Sequence, residues 1–273
     1  MQNITLNNGI EIPQIGFGVF RTKDGEQTVS SVKWALEAGY RHIDTAAIYG
    51  NEASVGIAMK ESGIAREDIF LTTKLWNGEI RAERTREAFE ESLRKLQTDY
   101  VDLYLIHWPV EKRELAWREM EKLYAEKKIR AIGVSNFHRH HLEALEKEWN
   151  VMPAVNQIES NPYFQNQELI DYCLARGIKV EVWSPLGGSL TTGIRDDETI
   201  KGIAAKYGKT TAQVIIRWHM QRGVVVLPKS THKEYIESNL LVEDFELSEE
   251  DMNTIKSLER GTRVGSDPDN FNF

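Results

Sequence analysis

Eight short apolar runs alternate along the chain with stretches of helical periodicity, and this alternation constrains the fold more than any other feature. The apolar runs occupy residues 14–19, 41–46, 69–75, 101–108, 129–136, 154–160, 179–185 and 224–230. The helical stretches between them occupy residues 28–37, 81–96, 114–126, 140–148, 167–176 and 196–207. Strands that are apolar on both faces form parallel sheets covered by helices. We therefore expect one α/β domain over residues 1–273, a (β/α)8 TIM barrel, with an open doubly wound sheet as the alternative.

Segments near both ends of the chain add elements to this eightfold pattern. Residues 4–7 and 11–13 flank an Asn8–Gly9 turn, which predicts an amino-terminal β-hairpin. Residues 210–221 predict an extra helix before the eighth strand. Residues 248–258 predict a late helix whose N-cap is Ser248.

Composition limits the classes of partner and the compartment. The net charge of −8 argues against nucleic acid, and no stretch approaches the 18 consecutive apolar residues of a membrane span. The single cysteine, Cys173, has no internal disulfide partner, and the first residues show no basic region followed by an apolar run. These features predict a cytoplasmic protein.

Polar side chains follow three neighbouring predicted strands. Asp44 and Tyr49 follow the second strand, Lys74 ends the third and His107 ends the fourth. A tyrosine beside a lysine and a histidine can protonate a carbonyl oxygen, and we expect the lysine charge to lower the tyrosine pKa from about 10. The aspartate can hold the lysine charged, and the histidine can hydrogen-bond the same oxygen. Since neither a nucleophile nor a metal accompanies them, a hydride would have to come from a bound cofactor.

Taken one at a time, the same four residues have structural explanations. Asp44 could be an N-cap, Tyr49 a half-buried surface residue, Lys74 a solvated strand end and His107 a core histidine. Their common position favours catalysis, because the active sites of barrels lie at the carboxyl ends of the strands.

Seven motifs carry a resemblance to a known family. They are, in order, GYRHIDTAAIYGNE, TTKLW, LIHWP, GVSNF, VNQIE, WSPL and LPKS. Their order and spacing resemble those of the aldo-keto reductases, and the compact length is similar to the bacterial and protozoal branch of 2,5-diketo-gluconate reductases, methylglyoxal reductases and prostaglandin F synthases. The resemblance implies a monomer that reduces aldehydes and reactive ketones with NADP(H), with NAD(H) as a second cofactor. It also implies that the hairpin caps the amino end of the barrel. The alternative is a redox-sensing, nicotinamide-binding partner protein with little turnover.

The resemblance also implies a cofactor site. Ser135, Asn136 and Gln157 would hold the nicotinamide carboxamide, and Trp183 would stack on its ring. Ser184 and Leu186 would follow the pyrophosphate. The adenosine end would contact Lys229, Ser230, Thr231 and Asn239. Position 235, where the family usually has an arginine for the 2′-phosphate, is Tyr235, so we expect NADPH to be preferred with appreciable use of NADH.

An aromatic substrate pocket is implied beside the acid. Its expected residues are Phe20, Tyr49, Trp76, His107, Trp108 and Phe271. Separately, His138, His140 and His141 raise the hypothesis of a metal site. Because no further ligand is evident and Arg139 interrupts the run, a solvated helix start is the better interpretation and we expect no metal.

Overall fold

A computed structural model describes residues 2–188 and 192–273. Its strands are β1 Asn3–Thr5, β2 Glu11–Pro13, β3 Phe17–Gly18, β4 His42–Asp44, β5 Phe70–Leu75, β6 Val101–Ile106, β7 Ile129–Ser135, β8 Val155–Glu159, β9 Lys179–Trp183 and β10 Val225–Val226. Its α-helices are α1 Glu26–Ala38, α2 Glu52–Glu61, α3 Asn77–Arg81, α4 Thr85–Leu96, α5 Arg113–Ala125, α6 Arg139–Leu145, α7 Gln167–Ala175, α8 Glu198–Tyr207, α9 Thr211–Gln221, α10 Lys233–Leu240 and α11 Glu249–Lys256.

Strands β3 to β10 form one parallel sheet in sequential order. A parallel bridge between Ile15 and Val226 joins the segment before β3 to β10, and the Gly16 N–H donates to the Val226 carbonyl. The first and last strands therefore meet, and the sheet closes as the predicted (β/α)8 barrel. The hairpin is also confirmed, since β1 and β2 pair antiparallel.

Apolar side chains fill two separate regions around the strands. One cluster packs the outward strand residues against the helices, as at Val32, Leu71 and Trp117. A second cluster joins the hairpin residues Leu6 and Ile12 to inward-facing strand residues, including Leu103, Leu105, Val155 and Val225. The hairpin thus closes the amino end of the barrel.

Several elements differ from the prediction in extent or in number. The stretch 81–96 is interrupted at Glu83, whose φ is 58°, so that α3 and α4 are separate helices. Strands β3 and β10 are shorter than the apolar runs at residues 14–19 and 224–230 that predicted them. Helix α2 was not predicted, because its packed face includes Ser54 and Gly56, which give no apolar periodicity. Gly56 is required there, since a Cβ at that position would lie 2.6 Å from the Leu96 carbonyl oxygen.

Helix α11 begins where the sequence predicted the late helix, directly after Ser248. The Ser248 side chain accepts a hydrogen bond from the Asp251 N–H and so caps α11 as expected. None of the helices in the described ranges has the length and apolar character that crossing a membrane requires.

Candidate active site

The four predicted catalytic residues lie together at the carboxyl end of the barrel. Asp44 is the last residue of β4, Lys74 lies near the end of β5, and His107 directly follows β6. Tyr49 ends a 3-10 turn, Ala47–Tyr49, that follows β4. Because β4, β5 and β6 are adjacent parallel strands, their inward side chains converge on one point.

Lys74 is the centre of this group. Its side chain is 0% exposed, and its Nζ donates to both Asp44 carboxylate oxygens at 2.7 and 2.9 Å and to the Thr45 carbonyl at 2.9 Å. Burial is the largest single effect and lowers the pKa of Lys74, but the charge and hydrogen bond of Asp44, together with Tyr49 and Glu181, outweigh it, so the net shift is upward. The lysine is therefore held as an ammonium ion in a buried site.

Tyr49 receives the fourth contact of that ammonium group, with Lys74 Nζ 3.4 Å from the phenolic oxygen. The expected lowering of the Tyr49 pKa was wrong in its net direction. Burial raises the pKa of Tyr49, and the opposing effect of the Lys74 charge is partly cancelled by the nearby Asp44. Tyr49 consequently keeps its proton at neutral pH, and because the lysine donates to the oxygen, the phenolic hydrogen is free for another acceptor.

His107 provides a second, neutral hydrogen-bonding group. Burial and the Lys74 charge hold the pKa of His107 well below its ordinary value. Its ring lies edge-on to Tyr49 at 5.8 Å between centroids and to Trp76 at 5.3 Å. Among the described residues its Nδ1 has no hydrogen-bond partner. A neutral imidazole in this position can donate one N–H to an oxygen beside Tyr49.

A second polar layer lies beneath the lysine; of its residues only Gln157 was expected from the sequence, and that for the cofactor site. Gln157 donates through Nε2 to Asp44 Oδ2 and to Glu181 Oε2, both at 2.8 Å. Burial, and then the charge of Asp44, raise the pKa of Glu181 to about 8. His42 lies 3.6 Å from the same carboxyl group, and burial lowers the pKa of His42 to about 3. A charged residue in the middle of the run KVEVW was the available signal for this layer.

The residues expected at the nicotinamide end form one hydrogen-bonded group beside His107. Asn136 donates through Nδ2 to the His107 carbonyl at 3.0 Å and to Ser135 Oγ at 3.1 Å. The Trp183 indole N–H donates to Asn136 Oδ1 at 2.9 Å. Gly265 of the carboxyl-terminal tail lies against the Trp183 ring, since a Cβ on that glycine would be 2.2 Å from it. Gln157, in contrast, directs its Nε2 to the two carboxylates below.

The loop expected to follow the pyrophosphate starts directly after β9. Ser184 adopts a positive φ of 50° and, like Leu186, is half-buried. Gly187 and Gly188 also have positive φ values, which favour glycine; Gly187 is buried and donates its N–H to the Ser184 carbonyl at 3.0 Å.

The residues expected at the adenosine end lie just beyond β10. Lys229 is exposed, Ser230 and Thr231 are half-buried, and Asn239 is buried within α10. Burial and the charge of Arg21 lower the pKa of Lys229, so a second cation acts on this group. Arg21 was not predicted from the sequence, because it lies far from Lys229 in the chain. Tyr235 is 55% exposed.

Aromatic rings surround the space in front of Tyr49. Phe20, 51% exposed, lies 4.9 Å from the Tyr49 ring. The carboxyl-terminal tail contributes two further rings, of which only Phe271 was expected from the sequence. Phe271 lies 4.9 Å from Trp108, and Phe273 stacks on Trp76 at 5.8 Å with an interplanar angle of 7°.

Comparison with known proteins agrees with the fold and the motifs. Residues 14–260 match the family model described as Aldo/keto reductase family. The chain belongs to this family. It is 51% identical over 271 residues to a glyoxal reductase of Bacillus subtilis, covering 99% of this chain and 97% of that protein. It is 49% identical over 269 residues to a 9,11-endoperoxide prostaglandin H2 reductase of Trypanosoma cruzi, covering 98% and 95%.

Two further comparisons place the chain in the same branch of the aldo/keto reductases. It is 45% identical over 273 residues to methylglyoxal reductase DkgA of Escherichia coli, covering 98% of this chain and 97% of that protein. Among solved structures, it matches MGS-M4, an aldo-keto reductase from a deep-sea metagenome library, with a TM-score of 0.96 and 47% identity over 99% of this chain and 100% of that one. The resemblance found in the sequence motifs is therefore confirmed over the full length of this aldo/keto reductase.

Proposed function

We propose that this aldo/keto reductase reduces aldehydes and reactive ketones to alcohols with NAD(P)H, and that NADPH is the preferred cofactor. The observation that carries the proposal is the contact between the buried Lys74 ammonium and the Tyr49 hydroxyl, beside neutral His107. A protonated phenol next to a fixed positive charge is suited to give its proton to a carbonyl oxygen.

Each residue has a separate part in the proposed proton transfer. The Tyr49 O–H donates a hydrogen bond to the carbonyl oxygen. Its proton transfers to that oxygen as negative charge develops there. Lys74 stabilises the tyrosinate that remains, and Asp44 keeps that lysine charged. His107 donates an N–H to the same oxygen and orients it.

The residues present fit a nicotinamide cofactor, which when bound would supply the hydride. Asn136 offers both an amide donor and an acceptor, as a carboxamide needs, and Trp183 offers a ring for stacking. In this proposal Ser135 and Gln157 complete the nicotinamide end, and Ser184 and Leu186 follow the pyrophosphate.

The adenosine end supports the proposed cofactor preference. Lys229, with Ser230 and Thr231, would bind the 2′-phosphate, and Asn239 the adenine. Arg21 adds a positive charge near Lys229 and supports the NADPH preference although position 235 is a tyrosine.

The lining of the pocket supports the proposal that the substrates are small or aromatic carbonyl compounds. Phe20, Trp76, Trp108 and Phe271 provide apolar walls around Tyr49. We infer 2-oxoaldehydes, diketones or keto sugars, and aromatic aldehydes, in agreement with relatives named glyoxal reductase and methylglyoxal reductase. We also propose that residues 1–273 act as one catalytic domain, a cytoplasmic monomer; the buried free thiol of Cys173 agrees with a reducing compartment.

A carbonyl panel assayed with both cofactors tests the proposal. Loss of NADPH absorbance should follow addition of methylglyoxal, phenylglyoxal or an aromatic aldehyde, and should be slower with NADH. Tight NADPH binding without turnover of any carbonyl would instead support the redox-sensing partner protein. Activity at least about tenfold higher on a sugar phosphate than on phenylglyoxal would contradict the apolar pocket.

A further inference from the structure

Three histidines and one aspartate outside the catalytic site bring four ligand atoms together at the barrel rim. His138, His140 and His141 lie at the start of α6, and Asp269 lies in the tail after α11. One ligand atom from each of the four lies within 4.8 Å of all the others. We propose that this cluster binds a divalent transition-metal ion, with Zn²⁺ the best match.

The separations suit tetrahedral coordination. Ligands about 2.0–2.1 Å from a tetrahedral zinc ion lie about 3.3 Å apart. Here Asp269 Oδ2 lies 2.7 Å from His138 Nδ1, and Asp269 Oδ1 lies 2.9 Å from His140 Nε2 and 3.3 Å from His141 Nε2. Three imidazoles and one carboxylate form an N₃O donor set, and since all four ligand atoms lie within 4.8 Å of one another, changes of up to about 1.5 Å in their separations would admit an ion of this size.

Asp269 is the further metal ligand that the sequence could not show. The histidine run alone lacked a further ligand, and Asp269 is 131 residues from His138 in the chain. Its position is fixed locally, because the Asp269 N–H donates to Asp267 Oδ1 at 3.1 Å and the Asn270 N–H to the Asp267 carbonyl at 2.9 Å. The carboxylate is therefore presented to the histidines by an ordered turn.

Two neighbouring groups oppose the ion and limit its affinity. The His138 N–H donates to His141 Nδ1 at 3.1 Å, and Arg263 Nη2 lies 3.1 Å from His138 Nε2. Coordination moves each ring proton to the nitrogen away from the ion, so these two contacts must be released. The positive end of α6 also disfavours a cation. We therefore expect micromolar rather than nanomolar binding.

An ion in this cluster would fasten the tail to the barrel. Asp269 is two residues before Phe271, which packs on Trp108, and four before Phe273, which stacks on Trp76. The metal would thus hold the aromatic cover of the active site closed without contacting Tyr49.

Calorimetric titration of the untagged full-length protein with zinc sulfate, after dialysis against a chelator, tests the site. We expect one ion per chain with a micromolar Kd, and an intense visible spectrum of tetrahedral Co²⁺ when cobalt chloride replaces zinc. His140→Ala and Asp269→Asn should each weaken binding about tenfold or more. Both side chains are exposed, at 61% and 43%, so the variants should fold, which circular dichroism would verify.

His232→Ala is the matched control, because His232 is an exposed histidine outside the cluster and its loss should leave metal binding unchanged. Zinc binding weaker than about 100 µM, an octahedral Co²⁺ spectrum, or unchanged affinity in either His140→Ala or Asp269→Asn would overturn the proposal. None of these readouts depends on reductase activity, so failure here leaves the proposed function intact.

Discussion

Glu181 is buried in the barrel, and replacing it with glutamine should change how stability depends on pH. Burial and the charge of Asp44 raise the pKa of Glu181 from 4.5 to about 8. Between these values the folded protein keeps a proton that the unfolded chain releases, so the free energy of unfolding falls as the pH rises. Above about pH 8 both states are ionised and the loss is complete.

The size of the effect follows from the separation of the two pKa values. Each unit corresponds to about 1.4 kcal/mol, so the wild-type protein should lose about 2–4 kcal/mol from this group between about pH 5 and pH 9. Glutamine has the shape of the protonated carboxyl group and does not titrate. Glu181→Gln should therefore nearly match wild type at the lower pH and exceed its stability by about 2–4 kcal/mol at the higher pH.

Urea unfolding followed by tryptophan fluorescence measures this difference, since the chain has seven tryptophans. Glu234→Gln, at an exposed position of α10, is the control and should leave the pH profile unchanged. A stability difference between Glu181→Gln and wild type that stays constant from about pH 5 to pH 9 would refute the reasoning, because Glu181 would then be ionised in the folded protein.

Three further substitutions test separate parts of the site. Asp44→Asn removes the charge that keeps buried Lys74 protonated, so kcat/KM should fall about tenfold or more at neutral pH, and the loss should grow as pH rises. Tyr235→Arg should tighten NADPH by about 1–2 kcal/mol in fluorescence titrations and leave NADH unchanged. Phe271→Ala should raise the KM for phenylglyoxal about two- to tenfold, because it removes a ring that packs on Trp108.

Each of the three has an outcome that contradicts it. A pH profile of Asp44→Asn parallel to that of wild type would mean that the lysine does not depend on this carboxylate for its charge. Equal gains for NADH and NADPH would show that residue 235 does not face the 2′-phosphate. An unchanged KM in Phe271→Ala would show that the tail does not cover the pocket.

The placement of the catalytic residues was predictable, because strand ends in a parallel barrel occupy one face. The apolar runs alone were enough to predict the positions of the three residues that follow them, Asp44, Lys74 and His107. The direction of the Tyr49 pKa was not predictable, since it depends on burial outweighing one nearby charge. Residues joined only by tertiary structure were also missed. The charge of Arg21 acts on Lys229, and Asp269 contacts His138, only in the folded chain, and no local pattern encodes either interaction.

Substitution of Tyr49 by phenylalanine tests the central claim most directly. The variant loses the proton donor and little else, so kcat for methylglyoxal should fall about 10²–10⁴-fold while the Kd for NADPH stays within about twofold of wild type. Tyr172→Phe is the matched control, because its hydroxyl has no partner among the described residues and lies on α7. A Tyr49→Phe enzyme that keeps more than about half of the wild-type kcat would contradict the assignment of Tyr49 as the general acid.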